Sequence, residues 1–64
     1  MTEQDKDFLL GCALNAKDMS ERIEKETKGG YVSPYYILEK AEALANYAQA
    51  IINRTTDIIE REKK

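Results

Sequence analysis

The feature that most constrains this chain is a run of apolar residues with helical period between Tyr35 and Ile59. At 100° of rotation per residue, these side chains fall along two neighbouring lines on one helix. The first seam consists of Ile37, Ala41, Leu44, Ala48, Ile51 and Thr55, and the second seam of Leu38, Ala45, Ile52 and Ile59. Together they cover roughly half of the helix surface, more than the apolar stripe of an ordinary surface helix. We therefore expect this helix to need more than one neighbour.

Another helix is predicted before it, over residues 3 to 28. Thr2 and Asp5 form the pattern of a capping box at its start. The apolar positions that follow are spaced 3, 4, 3 and 4 residues apart, as in a coiled-coil seam; they are Leu9, Cys12, Ala16, Met19 and Ile23. Opposite charges four residues apart on the outer face, such as Asp18 and Arg22, are typical of a solvated surface.

A short turn separates the two helices. Gly29 and Gly30 are expected to end the first helix in the left-handed conformation that glycine accepts. Ser33 and Pro34 are typical first residues of a new helix, which is predicted over residues 34 to 61. Because short connections join antiparallel neighbours, we predict an all-α fold, with residues 1–64 forming one domain that is an antiparallel helical hairpin.

Self-association is expected because a chain of 64 residues has little interior. Cys12 is the single cysteine and histidine is absent, so neither an intrachain disulfide nor a conventional zinc site can form. One helix can cover only one seam, and Leu10 and Leu14 face away from the seam of the first helix. A homo-oligomeric helical bundle would bury these surfaces. Its predicted interface residues are Leu10, Leu14, Leu38, Ala41, Ala45, Ala48, Ile52 and Ile59.

Several classes of function are disfavoured by the composition. Without histidine, and with Cys12 on a buried seam, no pair of nucleophile and base can be drawn, so we predict no enzymatic activity, cofactor or metal site. A net charge of −2 with interspersed acids and bases disfavours binding to a nucleic-acid polymer or a membrane surface. No stretch approaches the roughly 20 apolar residues that span a bilayer, and the charged start does not resemble a secretory signal. A cytoplasmic location is expected.

Tyrosines are frequent near the turn, where Tyr31, Tyr35 and Tyr36 lie. Tyrosine combines a flat apolar ring with a polar hydroxyl, so it suits both packing and stacking on a nucleobase. Two interpretations remain open. Tyr35 and Tyr36 either cap the end of the bundle or line a pocket for a nucleobase or a protein.

A family resemblance is carried by residues of both helices. It rests on Leu38-Glu39, Ala45-Asn46, Ile51 and Arg54, together with Ala16-Lys17-Asp18-Met19. In this order the residues resemble the anti-CBASS cyclic-oligonucleotide sponges of phages, over about forty positions. Those proteins are short all-helical chains that form compact homo-oligomers and sequester the cyclic nucleotide messengers of bacterial immunity. Where the family commonly has an aromatic residue before the Ala-Asn pair, this chain has Leu44.

The resemblance implies a non-catalytic phage anti-defence protein in the cytoplasm of the infected host cell. It implies that Lys17 lies near phosphate and that Asn46 and Arg54 contact the ligand. A stacking tyrosine, Tyr35 or Tyr36, would complete the pocket, with copies of these side chains meeting around one symmetric ligand. The alternative is a small helical module that inhibits or bridges a host protein through its apolar helix surface. A dimeric RNA-binding hairpin would need a basic stripe, which the interspersed acids interrupt.

Overall fold

The computed structural model describes residues 1–63 as two α-helices packed against each other in an antiparallel hairpin. Helix α1 spans Glu3–Thr27 and helix α2 spans Pro34–Glu62, and this part of the chain contains no strand. The hairpin is elongated, with principal extents of 53, 16 and 11 Å. The predicted all-α hairpin is confirmed, and the predicted ends of both helices are within one residue of the observed ones.

Both helices begin at the side chains that the sequence predicted. At α1, the Thr2 hydroxyl accepts a hydrogen bond from the Asp5 N–H (3.1 Å), and the Asp5 carboxylate accepts one from the Thr2 N–H (3.0 Å). At α2, the Ser33 hydroxyl accepts from the Tyr36 N–H (3.3 Å), and Pro34 occupies the first helical position. These caps satisfy N–H groups that have no partner inside the helix, and so fix where each helix starts.

The end of α1 differs from the prediction made for Gly29 and Gly30. Neither glycine has a positive φ, nor does any other residue in the described range. Lys28 stays right-handed and donates its N–H to the Glu24 carbonyl (3.1 Å), and Gly29 donates to the Glu26 carbonyl (3.1 Å). The predicted left-handed end was therefore wrong, because a tightened right-handed turn already satisfies these carbonyls.

The side chain of Glu26 closes the connection between the helices. Its carboxylate accepts a hydrogen bond of 2.9 Å from the N–H of Ser33, seven residues further along the chain. Ser33 thereby receives a partner for its own N–H while its hydroxyl caps α2. The turn is thus held by one carboxylate and one hydroxyl.

One seam of α1 faces α2. The predicted members of this seam, Leu9, Cys12, Ala16, Met19 and Ile23, are all partly buried. The same spacing of 3 and 4 residues continues to Asp5 at one end and to Glu26 at the other, and both carboxylates are shielded as well. The contact line of α1 is therefore apolar in its middle and acidic at its two ends.

The first seam of α2 packs against α1, but not with all of its predicted members. Ala48 is exposed, whereas Tyr47, Arg54 and Ile58 are shielded. Ile58 is only 2% exposed and is the one fully buried apolar side chain among residues 1–63. A straight helix has 3.6 residues per turn, whereas two packed helices stay in contact at positions that recur every 3.5 residues on average. A seam drawn along α2 at a fixed angle therefore drifts away from α1. The covered positions therefore follow the heptad spacing.

The second seam is uncovered in the hairpin. Leu38, Ile52 and Ile59 are 57, 56 and 50% exposed, and Ala45 is exposed too. On α1, Leu10 and Leu14 are 59 and 57% exposed. We call these two leucines the Leu10/Leu14 patch. From the sequence, we expected a single hairpin to leave both of these apolar surfaces exposed.

Candidate functional site

The plane that contains both helix axes divides the surface of the hairpin into two sides. On the polar side, the Arg54 guanidinium lies over the Phe8 ring, 4.3 Å from the ring centre. Lys17 is nine residues from Phe8, and Ala45 is nine residues from Arg54. Nine residues make about two and a half turns, which brings a side chain to the opposite side of its helix. Lys17 and Ala45 therefore lie on the other side, which we call the apolar side.

The rest of the second seam shares the direction of Ala45, because its members recur every seven residues. The apolar side thus presents Leu38, Ile52 and Ile59 on α2, with Lys17 on α1 at its border. The Lys17 ammonium is 4.0 Å from the Glu21 carboxylate, and the Lys17 side chain is 72% exposed. Lys17 is consequently available to an external partner.

At the end of the hairpin remote from the turn, Asp5 joins the two helices. Asp5 is 2% exposed, and its carboxylate accepts a hydrogen bond from Arg61 and lies 3.8 Å from Arg54 Nη1. The hydrogen bond from the Thr2 backbone, followed by that from Arg61, lowers the pKa of Asp5 from 3.8 to about 2, although burial acts in the opposite direction. The buried carboxylate is therefore paired and ionised at neutral pH.

Arg54 is engaged inside the protomer. It stacks on Phe8, pairs with Asp5 and remains 38% exposed. A guanidinium has five N–H donors in a fixed plane, so some of them still point to solvent beside Phe8, where Asn53 and Asp57 line a shallow hollow. Arg54 therefore has a structural role that its predicted role as a ligand contact did not include.

Near the turn, Tyr36 lines a groove of about 590 Å³ on the polar side. The other lining residues are Asp18, Glu21, Arg22, Lys25, Glu26 and Gly29. Arg22 Nε donates to Asp18 (3.0 Å), and hydrogen bonds to Asp18 and then Tyr36 raise the pKa of Arg22. The Lys40 ammonium is 5.2 Å from the centre of the Tyr36 ring. Three carboxylates face two cations in this groove, which disfavours an anionic ligand there.

Tyr35 and Asn46 are exposed on α2. Tyr35 is 84% exposed, so it caps nothing within the hairpin, whereas its neighbour Tyr36 is partly covered. Because Phe8 faces Arg54, antiparallel register places Lys17 level with Ala45, one residue before Asn46. Asn46 is eight residues from Arg54, about 80° around α2, and so belongs to the polar side. The hairpin itself stands between Lys17 and Asn46.

One protomer does not bring the five predicted ligand residues together. Tyr36 and Arg54 are 18 residues apart on α2, which is about 27 Å along the helix, and Lys17 lies on the opposite side. The sequence reasoning missed the group formed by Asp5, Phe8 and Arg54. Its signal was present, since Asp5 and Arg54 occupy positions that continue the seam spacing of their helices with opposite charges.

Comparison with known proteins gives no match to a protein-family model, to a curated protein or to a solved structure. Within residues 1–63, no three or more histidine, cysteine, aspartate or glutamate side chains form a group that could hold a metal ion. Neither described helix is long and apolar enough to cross a membrane. The candidate functional surfaces are therefore defined by their own geometry, an apolar side bordered by Lys17 and a polar side of paired charges.

Proposed function

We propose that this chain is a non-catalytic binding protein that acts as a homo-oligomer and sequesters a small phosphorylated ligand between its subunits. The uncovered second seam carries the proposal. Three large apolar side chains, each at least half exposed, follow one another from Leu38 to Ile59, over about 32 Å of helix. Contiguous exposed apolar surface of this kind typically marks an interface.

The arrangement of reactive groups supports binding rather than catalysis. Cys12 is partly buried on the α1 seam, and histidine is absent from the sequence. The buried carboxylate of Asp5 is held as an ion by Arg61 and the Thr2 backbone, so it is not a proton donor at neutral pH. The proposed oligomer therefore retains its ligand without converting it.

The ligand that we propose is a cyclic oligonucleotide signal. Lys17 supports this choice because it is exposed on the same side of the hairpin as the second seam. A two-fold contact between apolar sides whose axis passes near Ala45 would bring two copies of Lys17 toward one cleft, where two ammonium groups suit a ligand with two phosphates. Asn46, Arg54, Tyr35 and Tyr36 would then contact the ligand only from further subunits.

The biological setting in the proposal is suppression of bacterial immunity by a phage. It follows from the resemblance to the anti-CBASS sponges, which is carried on helix α2 by Ala45-Asn46 and Arg54 and on helix α1 by Lys17. In this setting the protein would act in the cytoplasm of the host cell. It would lower the concentration of the free messenger by mass action.

Calorimetric titration with a panel of cyclic di- and trinucleotides tests the ligand directly. We expect heat of binding and a rise in the melting temperature for the wild type, both lost in Lys17→Ala. Lys28→Ala is the matched control, because Lys28 is an equally exposed lysine paired with a glutamate, Glu24, at 3.2 Å. If no member of the panel gives heat or a thermal shift, the nucleotide part of the proposal fails.

A second candidate function is an interaction module that inhibits or bridges a host protein. The Leu10/Leu14 patch favours it, because the patch lies on the part of α1 that faces away from α2 and is more than half exposed. Maleimide labelling of Leu10→Cys, in a Cys12→Ala background, would measure its accessibility in the assembled protein. Rapid labelling leaves the patch free for a different protein, whereas protection means that another subunit covers it.

A further inference from the structure

The second seam carries the pattern of a complete helix interface. Between its members, which recur every seven residues, stand Ala41, Ala48 and Thr55. The whole line from Leu38 to Ile59 therefore has the alternating spacing of 3 and 4 residues that defines a coiled-coil seam. It runs one residue away from the line that α1 covers. Helix α2 thus has two heptad lines: α1 covers one of them and partly shields Ala41 and Thr55 at the border of the other.

Side-chain size along this line favours one orientation of a partner helix. Leu38, Ile52 and Ile59 put large side chains at equivalent positions of the line, and the intervening positions hold alanine or threonine. In a parallel pair of identical helices, each residue meets its own copy, so alanine layers would leave voids between layers of large side chains. In an antiparallel pair, the positions with large side chains on one helix face the positions with small side chains on the other. Large side chains then meet small ones, as close packing requires.

The middle of the line is built for close approach. Ala45 is the one small residue among the large positions, and Ala48 follows it one turn later. Both are exposed in the hairpin. Two helices that cross here meet through methyl groups alone, so their backbones can come nearer than at Leu38 or Ile59.

Polar residues beside the line agree with the reversed orientation. Glu42 borders its end near the turn, Lys63 borders the opposite end, and Gln49 lies between them. In a parallel pair, the edge that carries Glu42 would face the opposite edge of the partner seam, which α1 already covers. In an antiparallel pair, it faces the same edge of the partner in reverse, so Glu42 comes near Gln49 of the other copy and not near a second acid.

The exposed area matches what a second copy would cover. The hairpin has an accessible surface of 5024 Å², whereas a compact monomer of this mass has about 4,200 Å². The excess is about 800 Å², which is the area that each partner contributes to a standard protein interface. A second copy seated on the apolar side is therefore sufficient to account for the excess.

We propose that the second seam of α2 binds the second seam of another copy, with the two α2 helices antiparallel about a two-fold axis that crosses between Ala45 and Ala48. The inference rests on the proposed self-association and adds its surface, orientation and register. Helix α1 of each hairpin lies beside this pair and contributes the remaining helices of a four-helix assembly. The Leu10/Leu14 patch takes no part in the contact between the two α2 helices.

Distances between spin labels test the orientation in a protein that keeps its seam intact. In a Cys12→Ala background, single cysteines at Gln49, Thr56 and Lys63 carry the label on three exposed positions, seven residues apart, along one edge of the seam. We expect a short distance between copies at Gln49, near the axis, and distances above about 20 Å at Thr56 and Lys63. Similar distances at all three positions would show a parallel pair and overturn the proposal.

Substitution within the seam tests the surface. Ile52→Glu should shift sedimentation from dimer to monomer at a protein concentration where the wild type is dimeric. Leu14→Glu is the matched control, because Leu14 is equally exposed (57 against 56%) and lies off the seam. If Ile52→Glu stays dimeric, or Leu14→Glu alone dissociates, the seam is not the contact.

The outcome for this interface is separable from that for the ligand. A dimer with the expected label distances that binds no nucleotide would contradict the ligand part of the proposed function and leave the interface standing. An oligomer that binds nucleotide but shows the label distances of a parallel pair would contradict the proposed interface and leave the ligand part of the proposed function standing. Should Ile52→Glu lose helical circular dichroism, the label distances, which need no seam substitution, still decide the orientation.

Discussion

A single carboxylate joins the two helices at the end of the hairpin remote from the turn. Asp5 accepts hydrogen bonds from the Thr2 backbone and from Arg61, and Arg54 lies 3.8 Å from it. Its pKa is lowered from 3.8 to about 2, first by the backbone hydrogen bond. Folding therefore favours the ionised form, and its contribution to stability is fully present above pH 3.8 and is lost as the pH falls through about 2.

We predict that Asp5→Asn unfolds at a lower urea concentration than the wild type at pH 7. Its stability should also change less between pH 4 and pH 2, because the titrating group is gone. Urea unfolding followed by circular dichroism across that range measures both effects. Asp7→Asn is the control, since Asp7 is an exposed carboxylate two residues further along α1, on the opposite side of the helix. Equal pH dependence in the two variants would contradict the assigned role of Asp5.

A second prediction at the scale of residues concerns Arg54, because its side chain makes contacts within the hairpin that need no ligand. Its guanidinium lies 4.3 Å from the centre of the Phe8 ring, and a lysine cannot reproduce the planar stack. We expect Arg54→Lys to lower the free energy of unfolding by about 0.5–1 kcal/mol. In a double-mutant cycle with Phe8→Leu the two losses should not add, and strict additivity would show that the stack contributes nothing.

At the scale of elements, the first residue of each helix was predictable because the capping interactions that set it are local. Thr2 with Asp5, and Ser33 with Pro34, act over four residues or fewer, and the structure places both pairs as caps. The apolar middle of the α1 seam was predictable for a similar reason, since its period repeats within one helix. The left-handed end at Gly29 was wrong because the last turn has another way to satisfy its carbonyls.

Positions that depend on the partner helix were not predictable from periodicity. A seam drawn from apolar residues leaves charged residues out, so the predicted seams did not include Asp5 and Arg54, although both continue a seam. The burial of Asp5 is favourable because the Thr2 backbone and Arg61 donate hydrogen bonds to it and because Arg54 supplies a second positive charge across the hairpin. The candidate ligand residues share this difficulty. Lys17 and Asn46 lie within one residue of the same level, yet the side of the hairpin that each occupies depends on how the two helices face each other.

The cap of α2 gives the prediction at the scale of elements. The Ser33 hydroxyl accepts from the Tyr36 N–H at 3.3 Å, and loss of such a cap costs about 1 kcal/mol. Ser33→Ala should lower the free energy of unfolding by that amount in urea titration. Ser20→Ala, on the exposed face in the middle of α1, should be neutral or stabilising because alanine favours helix interiors. Equal losses at both serines would rule out the cap as the cause.

At the scale of the whole molecule, the hairpin combines a thin interior with a large open apolar side. Ile58 is the only fully buried apolar residue in the described range, while Leu38, Ile52 and Ile59 remain at least half exposed. Burial of apolar area is the main favourable term in folding, so much of the stabilisation available to this chain lies at the unoccupied seam. Folding and association should therefore be coupled.

This coupling predicts that the melting temperature rises with protein concentration, because association that favours the folded state stabilises it by mass action. Thermal unfolding followed by circular dichroism from about 1 μM to about 1 mM should show a steady rise for the wild type and for Leu14→Glu, a substitution off the second seam. Ile52→Glu should melt at a lower temperature that does not depend on concentration. A wild-type melting temperature that is constant over this range would mean that the isolated hairpin supplies its own stability and that the open seam is not needed for the fold.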